Sequence, residues 1–401
     1  MDVFERSLAL HREHQGKLEV RSRTRVDSVE HLSLAYTPGV ARPCEVIGEN
    51  VDEAWNLTWK GRTVAVVSDG SAILGLGDLG PEAALPVMEG KAVLFREFAG
   101  IDAVPIVLDQ REPDAIVETV RAIAPTFGGI NLEDIAAPRC FEIEERLQDI
   151  GIPVLHDDQH GTAIVLLAAM FNAARVTGRP LSDMKVVISG AGAAGRAIAR
   201  LLTCTDDDDR CVPVGQVRLC DSRGIIAPGR ERQDPIKEEL AQQTNPEGER
   251  GSLQDAVRGA DVFIGVSRGG ILSGDDVKTM AADPIVLAMA NPTPEVDPDE
   301  AHAAGAAIVG TGRSDYPNQV NNVLAYPGLF RGALEAHATR FTNGMKFAAV
   351  EAIAGCVEEP SPKRILPPPF DRSIAVRVAE GVRRAAEQDG VVRRPVATST
   401  T

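Results

Sequence analysis

Two pairs of adjacent carboxylates in this sequence have the spacing of a metal site. Glu133 and Asp134 stand at the end of one apolar run, and Asp157 and Asp158 stand just after another. Both runs are typical of strands in a parallel sheet, whose carboxyl ends deliver ligand groups to one edge. Carboxylate oxygens that converge there are the hard ligands that Mg²⁺ or Mn²⁺ prefers. A divalent cation at this edge is therefore one of two interpretations of the pattern.

A structural role is the alternative for part of this set. Asp157 or Asp158 could simply cap the helix predicted to start near Gly161, because an aspartate accepts hydrogen bonds from the first backbone N–H groups of a helix. His156 and His160 could also ligate a metal by their type. Lone histidines beside a helix start are more often hydrogen-bonded structural residues, so the predicted metal ligands are the carboxylates.

A glycine fingerprint follows further along the chain. Gly190, Gly192 and Gly195 fall in the order G-x-G-x-x-G between a β-branched run at 186–188 and a helical pattern that begins at Arg196. Strand, glycine turn and helix in direct succession are the context in which this motif binds a dinucleotide. The helix start offers its unpaired N–H groups to the phosphates. The residues predicted to bind the cofactor here are Gly190, Gly192, Ala193, Ala194 and Gly195.

The next predicted strand, at 216–219, leads to an acidic residue that bears on cofactor choice. Asp221 could accept hydrogen bonds from both hydroxyls of an adenosine ribose and would repel a 2′-phosphate. It comes late after the fingerprint because the acidic segment at 205–210 looks like an enlarged, solvated loop. Arg223 lies two residues further on and could pair with a 2′-phosphate. The sequence thus favours NAD and leaves NADP open.

The elements that must position these groups alternate between strand and helix. This alternation predicts an α/β protein with an N-terminal α/β domain, a Rossmann-like parallel sheet and a helical C-terminal segment. Strands of the first domain are predicted at 63–67, 103–108 and 128–132, and later strands of the second at 262–266, 285–289 and 307–309. The predicted boundaries are 1–152 for the substrate and catalytic domain, 153–335 for the dinucleotide-binding domain, and 336–401 for C-terminal helices with a frayed tail.

Length and composition limit the classes of function. At 401 residues the chain exceeds a usual single core, and its net charge of −16 argues against nucleic acid or an anionic membrane as partner. No stretch approaches the length of a membrane span, and the first residues do not resemble a signal peptide. The six cysteines show no metal spacing and are expected to be reduced thiols of a cytoplasmic protein.

Several motifs, in order, resemble those of malic enzymes of the short bacterial type. The resemblance covers most of the chain, from about residue 30 to 355. The motifs are Tyr-Thr-Pro-Gly-Val at 36–40, Ile-Leu-Gly-Leu-Gly-Asp-Leu-Gly at 73–80, Gly-Lys at 90–91, Asn-Leu-Glu-Asp at 131–134, His-Asp-Asp-Gln-His-Gly-Thr-Ala at 156–163, the glycine fingerprint, Ala-Asn-Pro at 290–292 and Asn-Asn-Val at 321–323.

The resemblance implies a role for each candidate residue. Tyr36 would be the general acid and Lys91 the general base, with Asp157 beside Lys91. The metal ligands would be Glu133, Asp134 and Asp158, and the residues beside substrate or nicotinamide would be Lys91, Asn291, Asn321 and Asn322. The bland alternatives are an exposed lysine at 91 and core packing for Tyr36. Longer animal-type relatives have an arginine where this chain reads Ser-Ala-Ile at 71–73, so the partner of the substrate carboxylate is left unassigned.

The implied reaction is the oxidative decarboxylation of L-malate to pyruvate and CO₂, with reduction of NAD or NADP, through oxaloacetate and enolpyruvate. A lysine on an apolar helix beside a cation would have its ammonium form disfavoured, which suits a base near neutral pH. A malolactic enzyme or an oxaloacetate decarboxylase could use the same groups. The family resemblance also implies a homodimer or a larger homo-oligomer.

Overall fold

The computed structural model describes residues 2–74, 76–205 and 211–393. The predicted acidic loop at 206–210 and most of the predicted frayed tail, at 394–401, lie outside the described residues. The first three helices lie along the surface and contain no buried residue. A short fourth helix buries Trp55. These helices are α1 (Val3–His14), α2 (Val29–Ala35), α3 (Ala41–Glu49) and α4 (Ala54–Leu57).

A four-stranded parallel sheet forms the first domain, with the strand order β2-β1-β3-β4. Every residue of β1 is buried, as expected of a central parallel strand that is covered on both faces. The predicted strand and helix alternation is confirmed here. The strands are β1 (Thr63–Ser68), β2 (Asp102–Val107), β3 (Gly129–Leu132) and β4 (Val154–His156), and the helices between them are α5 (Pro81–Leu94), α6 (Pro113–Ile123) and α7 (Arg139–Arg146).

Strand β4 belongs to this first sheet, where Leu155 lies opposite Asn131 of β3. The boundary drawn from sequence after residue 152 is therefore one strand too early. A strand this short carries no signal of which sheet it joins, because its apolar residues would suit either core. The next helix, α8 (Asp157–Thr177), runs directly from β4 toward the second sheet. No helix in the described ranges is both long and apolar enough to cross a bilayer.

A six-stranded sheet forms the second domain, in the order β10-β9-β8-β5-β6-β7. All its strand pairs are parallel except β6 with β7. The direction of winding reverses at β5, and this switch point is where α/β proteins bind ligands. Its strands are β5 (Lys185–Ser189), β6 (Gln216–Asp221), β7 (Gly224–Ile225), β8 (Val262–Gly265), β9 (Ile285–Ala288) and β10 (Ile308–Thr311), with helices α9 (Ala193–Thr203), α10 (Pro235–Thr244), α11 (Leu253–Val257), α12 (Gly274–Val277) and α13 (Pro298–Ala303).

The C-terminal helices tie the two sheets together. Phe330 packs its ring edge-on against Phe95 of the first domain, with centroids 5.4 Å apart. Asn172 of α8 donates hydrogen bonds of 3.0 Å to the carbonyl oxygens of Ala354 and Ile365. The segment just after the second sheet therefore packs back on the first. These helices are α14 (Tyr326–Glu335), α15 (Asn343–Gly355) and α16 (Ser373–Gln388).

One cysteine pair corrects the expectation of reduced thiols throughout. Cys204, at the end of α9, forms a disulfide with Cys211. The remaining four cysteines are free. The spacing of Cys204 and Cys211 in the sequence gave no signal of this pairing.

Candidate active site

Lys91 lies in the last turn of α5 and is buried, with a side-chain exposure of 7%. Its Nζ is 2.6 Å from Oδ2 of Asp157 and 2.9 Å from Oε1 of Glu133. Burial disfavours the ammonium form, but the charges of Asp157 and Glu133 outweigh it, so the pKa of Lys91 is raised well above its usual value. The sequence analysis expected a lowered pKa for Lys91 because it assumed a cation at the carboxylates. In the protein without a cation that expectation is wrong.

Glu133, Asp134 and Asp158 form the predicted carboxylate cluster. One oxygen from each side chain can be chosen such that all lie within 4.8 Å of one another. Glu133 and Asp134 follow β3, and Asp158 stands in the first turn of α8, so two neighbouring strand ends supply the group. The backbone N–H of Asp134 also donates to Oδ2 of Asp158 at 2.8 Å. The set has the ligand type and convergence that Mg²⁺ or Mn²⁺ requires.

The electrostatics of this cluster fit a cation. Burial and repulsion from Asp158 and Glu133 raise the pKa of Asp134 to about 8. Partial burial and the neighbouring charge of Asp157 raise the pKa of Asp158 to about 6. Oδ2 of Asp134 is buried without a hydrogen-bond partner. A divalent cation would supply that partner and remove the repulsion, so the residues present fit the predicted metal.

The loop after β1 fixes the backbone that carries these ligands. Asp134 has a left-handed backbone with φ of 53°, a conformation that a non-glycine residue holds only when its surroundings enforce it. The N–H of Ala72 donates to the carbonyl oxygen of Asp134 at 3.0 Å. Ser71 accepts from the N–H of Ala136 at 2.9 Å and donates to Asp69 at 2.5 Å. These bonds bracket Asp134 from both sides.

Asp157 and an asparagine meet from opposite ends of the second domain. Asp157 is fully buried in the first turn of α8, and Nδ2 of Asn322 donates to its Oδ2. Asn321 instead accepts from the N–H of Val323 at 3.0 Å and shapes the turn. Asn291 lies just beyond β9 and is exposed. The structure thus joins Asn322 to the Lys91 and Asp157 pair and gives Asn321 a supporting position.

The glycine fingerprint lies at the start of α9, beside a cavity of about 870 Å³. Gly190 has a φ of 118°, and a Cβ on Gly195 would lie 1.7 Å from the carbonyl oxygen of Gly190. A Cβ on Gly192 would meet nothing within 4 Å, so this backbone is open to a ligand. Ala193 and Ala194 open α9, whose N-terminus has no side-chain cap. These features suit a bound pyrophosphate.

Asp221 lines the same cavity but is already engaged. Arg230 donates to both of its carboxylate oxygens at 3.0 and 2.6 Å, Lys237 donates at 3.2 Å, and the N–H of Arg223 donates at 2.9 Å. Although burial opposes ionisation, these bonds lower the pKa of Asp221 to about 2. The sequence argument treated Asp221 as a free carboxylate, whereas its charge is compensated.

Tyr36 and Tyr326 differ sharply in burial. Tyr36 is 69% exposed, and no hydrogen bond among the described residues joins its side chain to the buried cluster. Tyr326 is fully buried, and its ring centroid lies 4.1 Å from Nζ of Lys91. Sequence analysis missed Tyr326, although its position four residues after Asn322 was a usable signal.

The histidines do not join the carboxylate cluster. His160 lies 3.0 Å from Oε1 of Glu144. His156 is buried, and its Nδ1 is 3.8 Å from Asp158, too far for a hydrogen bond. Burial lowers the pKa of both rings and favours neutral imidazoles. The carboxylates therefore remain the predicted metal ligands.

Comparison with known proteins finds matches along nearly the whole chain. Family models described as "Malic enzyme, N-terminal domain" and "Malic enzyme, NAD binding domain" match residues 15–148 and 159–387. The bifunctional malic/malolactic enzyme of Bacillus subtilis (strain 168) is 54% identical over 98% of this chain and 95% of its own length. The NAD-dependent malic enzyme of Geobacillus stearothermophilus is 51% identical over 98% of this chain and 81% of its own.

A longer relative and a solved structure agree with these matches. The NADP-dependent malic enzyme of Escherichia coli (strain K12) is 45% identical over 95% of this chain but 52% of its own length. The crystal structure of malic enzyme from Pyrococcus horikoshii superposes with a TM-score of 0.93 at 46% identity, covering 98% of this chain and 93% of that one. With both domains matched and relatives above 50% identity along nearly its full length, the chain belongs to the malic enzyme family.

Proposed function

We propose that this enzyme converts L-malate to pyruvate and CO₂ with reduction of NAD or NADP. The observation that carries the proposal is the buried Lys91 and Asp157 pair, which lies directly beside three carboxylates that can hold a cation. A base next to a Lewis-acid site is what the oxidation of a 2-hydroxy acid and the loss of its carboxylate both need. The cavity beside the glycine fingerprint would hold the dinucleotide that accepts the hydride.

The residues divide the reaction between them. Lys91 takes the proton of the C2 hydroxyl as a neutral amine, because a cation at Glu133 would offset the negative charge that favours the ammonium form in the protein alone. Asp157 holds the Lys91 nitrogen, and Asn322 in turn donates to Asp157. Glu133, Asp134 and Asp158 would hold Mg²⁺ or Mn²⁺. When bound, the cation polarises the C2 oxygen as a Lewis acid, and the dinucleotide accepts the C2 hydride. Oxaloacetate then loses CO₂, and the enolpyruvate that remains needs a proton at C3.

We assign that proton to Tyr36, delivered from a second copy of the chain. The N-terminal arm, residues 2–50, exposes many large apolar side chains, including Phe4 at 77%, Val20 at 95% and Leu34 at 68%. A soluble monomer rarely leaves so much apolar surface uncovered. The arm is anchored to α5, because Lys17 donates from its backbone to Glu89 at 2.9 Å. A partner that covers the arm therefore lies beside the helix of Lys91.

Mixing two inactive variants tests this assignment. Tyr36→Phe and Lys91→Ala are purified separately, unfolded together and refolded. If each site takes its tyrosine from the other chain, roughly a quarter of the sites in the mixture are native, and activity returns. No regain, while refolded wild type recovers fully, would mean that Tyr36 serves its own chain. Leu34→Asp should convert the dimer to monomers in sedimentation equilibrium.

A coupled assay tests the main activity. Purified protein receives L-malate, Mn²⁺ and either NAD or NADP, and both reduced cofactor and pyruvate are measured. We expect the two products in equal amounts, with Lys91→Ala reduced on the order of a hundredfold or more. Lys278→Ala is the matched control. Lys278 is exposed, and its Nζ lies 2.8 Å from Oδ1 of Asp275, with which it forms an ion pair outside the proposed site. Pyruvate without reduced cofactor would refute the oxidative reaction.

A malolactic activity is a second candidate, because the Bacillus subtilis relative carries both names. The same residues would serve, with the hydride returned to pyruvate before release. Lactate as the main product, with no net change in cofactor absorbance, would identify it. Simple decarboxylation of oxaloacetate would show as activity with oxaloacetate and none with malate.

The cytoplasmic location of the protein also remains a prediction from the sequence.

A further inference from the structure

The ring of Tyr326 lies against the Lys91 amine. Tyr326 is the first residue of α14 and is fully buried. Its ring centroid lies 4.1 Å from Nζ of Lys91, and the ring of Phe95 packs against it edge-on at 4.8 Å. We propose that Tyr326 is a positioning residue whose ring face holds the Lys91 nitrogen against Asp157. This inference rests on the proposed role of Lys91 as the base.

Three groups surround the Lys91 nitrogen: Asp157 at 2.6 Å, Glu133 at 2.9 Å and the ring of Tyr326. Glu133 is also a proposed metal ligand, so its oxygens are shared with the cation in the working enzyme. The ring and Asp157 are then the contacts that remain. A lysine side chain has four rotatable bonds, and an amine held on one side alone has freedom to leave the reactive position. A ring face within about 6 Å attracts the ammonium form, which Lys91 has before it loses its proton and again after it takes the proton of the substrate, and this attraction restricts that movement.

The ring, and not the hydroxyl, makes this contact. The hydroxyl oxygen of Tyr326 is buried and has no hydrogen-bond partner among the described residues. The attraction of a cation to an aromatic face is also available to phenylalanine. A phenylalanine at this position should therefore preserve the positioning, whereas an aliphatic residue should remove it.

Core packing is the competing explanation for a buried tyrosine. Tyr326 belongs to a cluster of rings in which Phe330, one turn further along α14, also packs against Phe95 and against Phe341, with centroids 5.4 and 5.1 Å apart. Phe330 is as deeply buried as Tyr326. Loss of either ring should lower stability, but only the ring of Tyr326 faces Lys91. Phe330→Leu is therefore the matched control.

The experiment compares two reactions in Tyr326→Leu, Tyr326→Phe, Phe330→Leu and Lys91→Ala. Malate oxidation needs the hydroxyl proton removed by Lys91, whereas decarboxylation of added oxaloacetate starts after that step. Tyr326→Leu should lower kcat for malate oxidation by about tenfold or more, and raise the deuterium isotope effect with malate labelled at C2, as expected for a misplaced base. The rate of oxaloacetate decarboxylation by Tyr326→Leu should stay within about twofold of the wild-type rate. Tyr326→Phe should oxidise malate at a rate close to that of the wild type.

Three results would overturn the inference. The first is normal malate oxidation in Tyr326→Leu. The second is a loss of both reactions in Tyr326→Leu that follows the drop in melting temperature, as in Phe330→Leu. The third is a loss of malate oxidation in Tyr326→Phe as large as that in Tyr326→Leu. If Tyr326→Leu does not fold, Tyr326→Met refills the core without an aromatic face and replaces it. If Lys91→Ala itself keeps normal malate oxidation, the failure belongs to the proposed base and not to Tyr326.

Discussion

We expect the preference between NAD and NADP to depend on Asp221, a carboxylate whose charge is offset by neighbouring cations. Asp221 lines the dinucleotide cavity, and Arg230 and Lys237 both donate to it. These two cations offset the negative charge of Asp221, although Lys237 also lies 3.7 Å from Asp234. A 2′-phosphate would therefore meet less repulsion than a free aspartate gives. We expect NAD to be the better substrate by kcat/KM, with NADP still used at a measurable rate.

Replacing Asp221 by serine should shift this preference toward NADP. The change frees Arg230 and Lys237, which can then donate to a 2′-phosphate. A hydrogen bond to a charged group contributes about 1.5–3 kcal/mol, and partial exposure to solvent at the cavity mouth reduces the sum of two such bonds to about that same range. The ratio of kcat/KM for NADP over NAD should therefore rise by about 10- to 100-fold. Arg230→Gln should lower the same ratio.

The assay is initial-rate kinetics with both cofactors at saturating malate and Mn²⁺. Asp234→Ser is the matched control. Asp234 lies 3.7 Å from Lys237 but does not line the cavity, and serine can keep its role as the N-cap of α10. Asp234→Ser should leave the ratio unchanged. An unchanged ratio in Asp221→Ser would show that Asp221 does not contact the ribose, and a wild-type preference for NADP would refute the expected order.

Four further outcomes are expected. Asp158→Ala should abolish Mn²⁺ binding in calorimetry together with turnover, and full activity in excess chelator would contradict the cluster. Ser71→Ala should weaken Mn²⁺ binding by about tenfold, since it removes a bond beside Asp134, whereas Ser68→Ala should not. Tyr36→Phe should slow ketonisation of enolpyruvate on the order of a hundredfold and largely spare hydride transfer. His160 lowers the pKa of Glu144 to about 2 despite burial, so the melting-temperature loss in Glu144→Gln should shrink as pH falls from 4.5 toward 2.

The carboxylate cluster could be predicted because backbone geometry leaves little choice. Parallel strands present their carboxyl ends on one edge, so acidic residues after β3 and β4 must come close. The glycine fingerprint is similarly determined, because Gly190 adopts a backbone conformation that L-residues rarely hold. In both places the signal is local in sequence and the spacing sets the geometry. The predicted carboxylates therefore lie close together in the structure, and the predicted glycines form the turn before α9.

The remaining features depend on contacts between distant segments. Arg230 reaches Asp221 because the β6–β7 hairpin folds the chain back, and no periodicity reports which arginine will do so. Tyr326 meets Lys91 because α14 packs on the first domain, across 235 positions of sequence. Strand β4 joins the first sheet by pairing that its own residues do not encode. Tyr36 is harder still, since its proposed partners lie in another copy of the chain.

Helix α8 sets the distance between the proposed base and the proposed cation. Asp157 and Asp158 are consecutive in its first turn, and consecutive helical residues point about 100° apart. One therefore faces Lys91 and Asn322, while the other faces Asp134. The separation of base and cation is thus set by a single helical step of backbone and not by flexible side chains. The same helix packs along α9, which begins at the glycine fingerprint, so one helix contacts both the proposed base and the element that carries the proposed cofactor site.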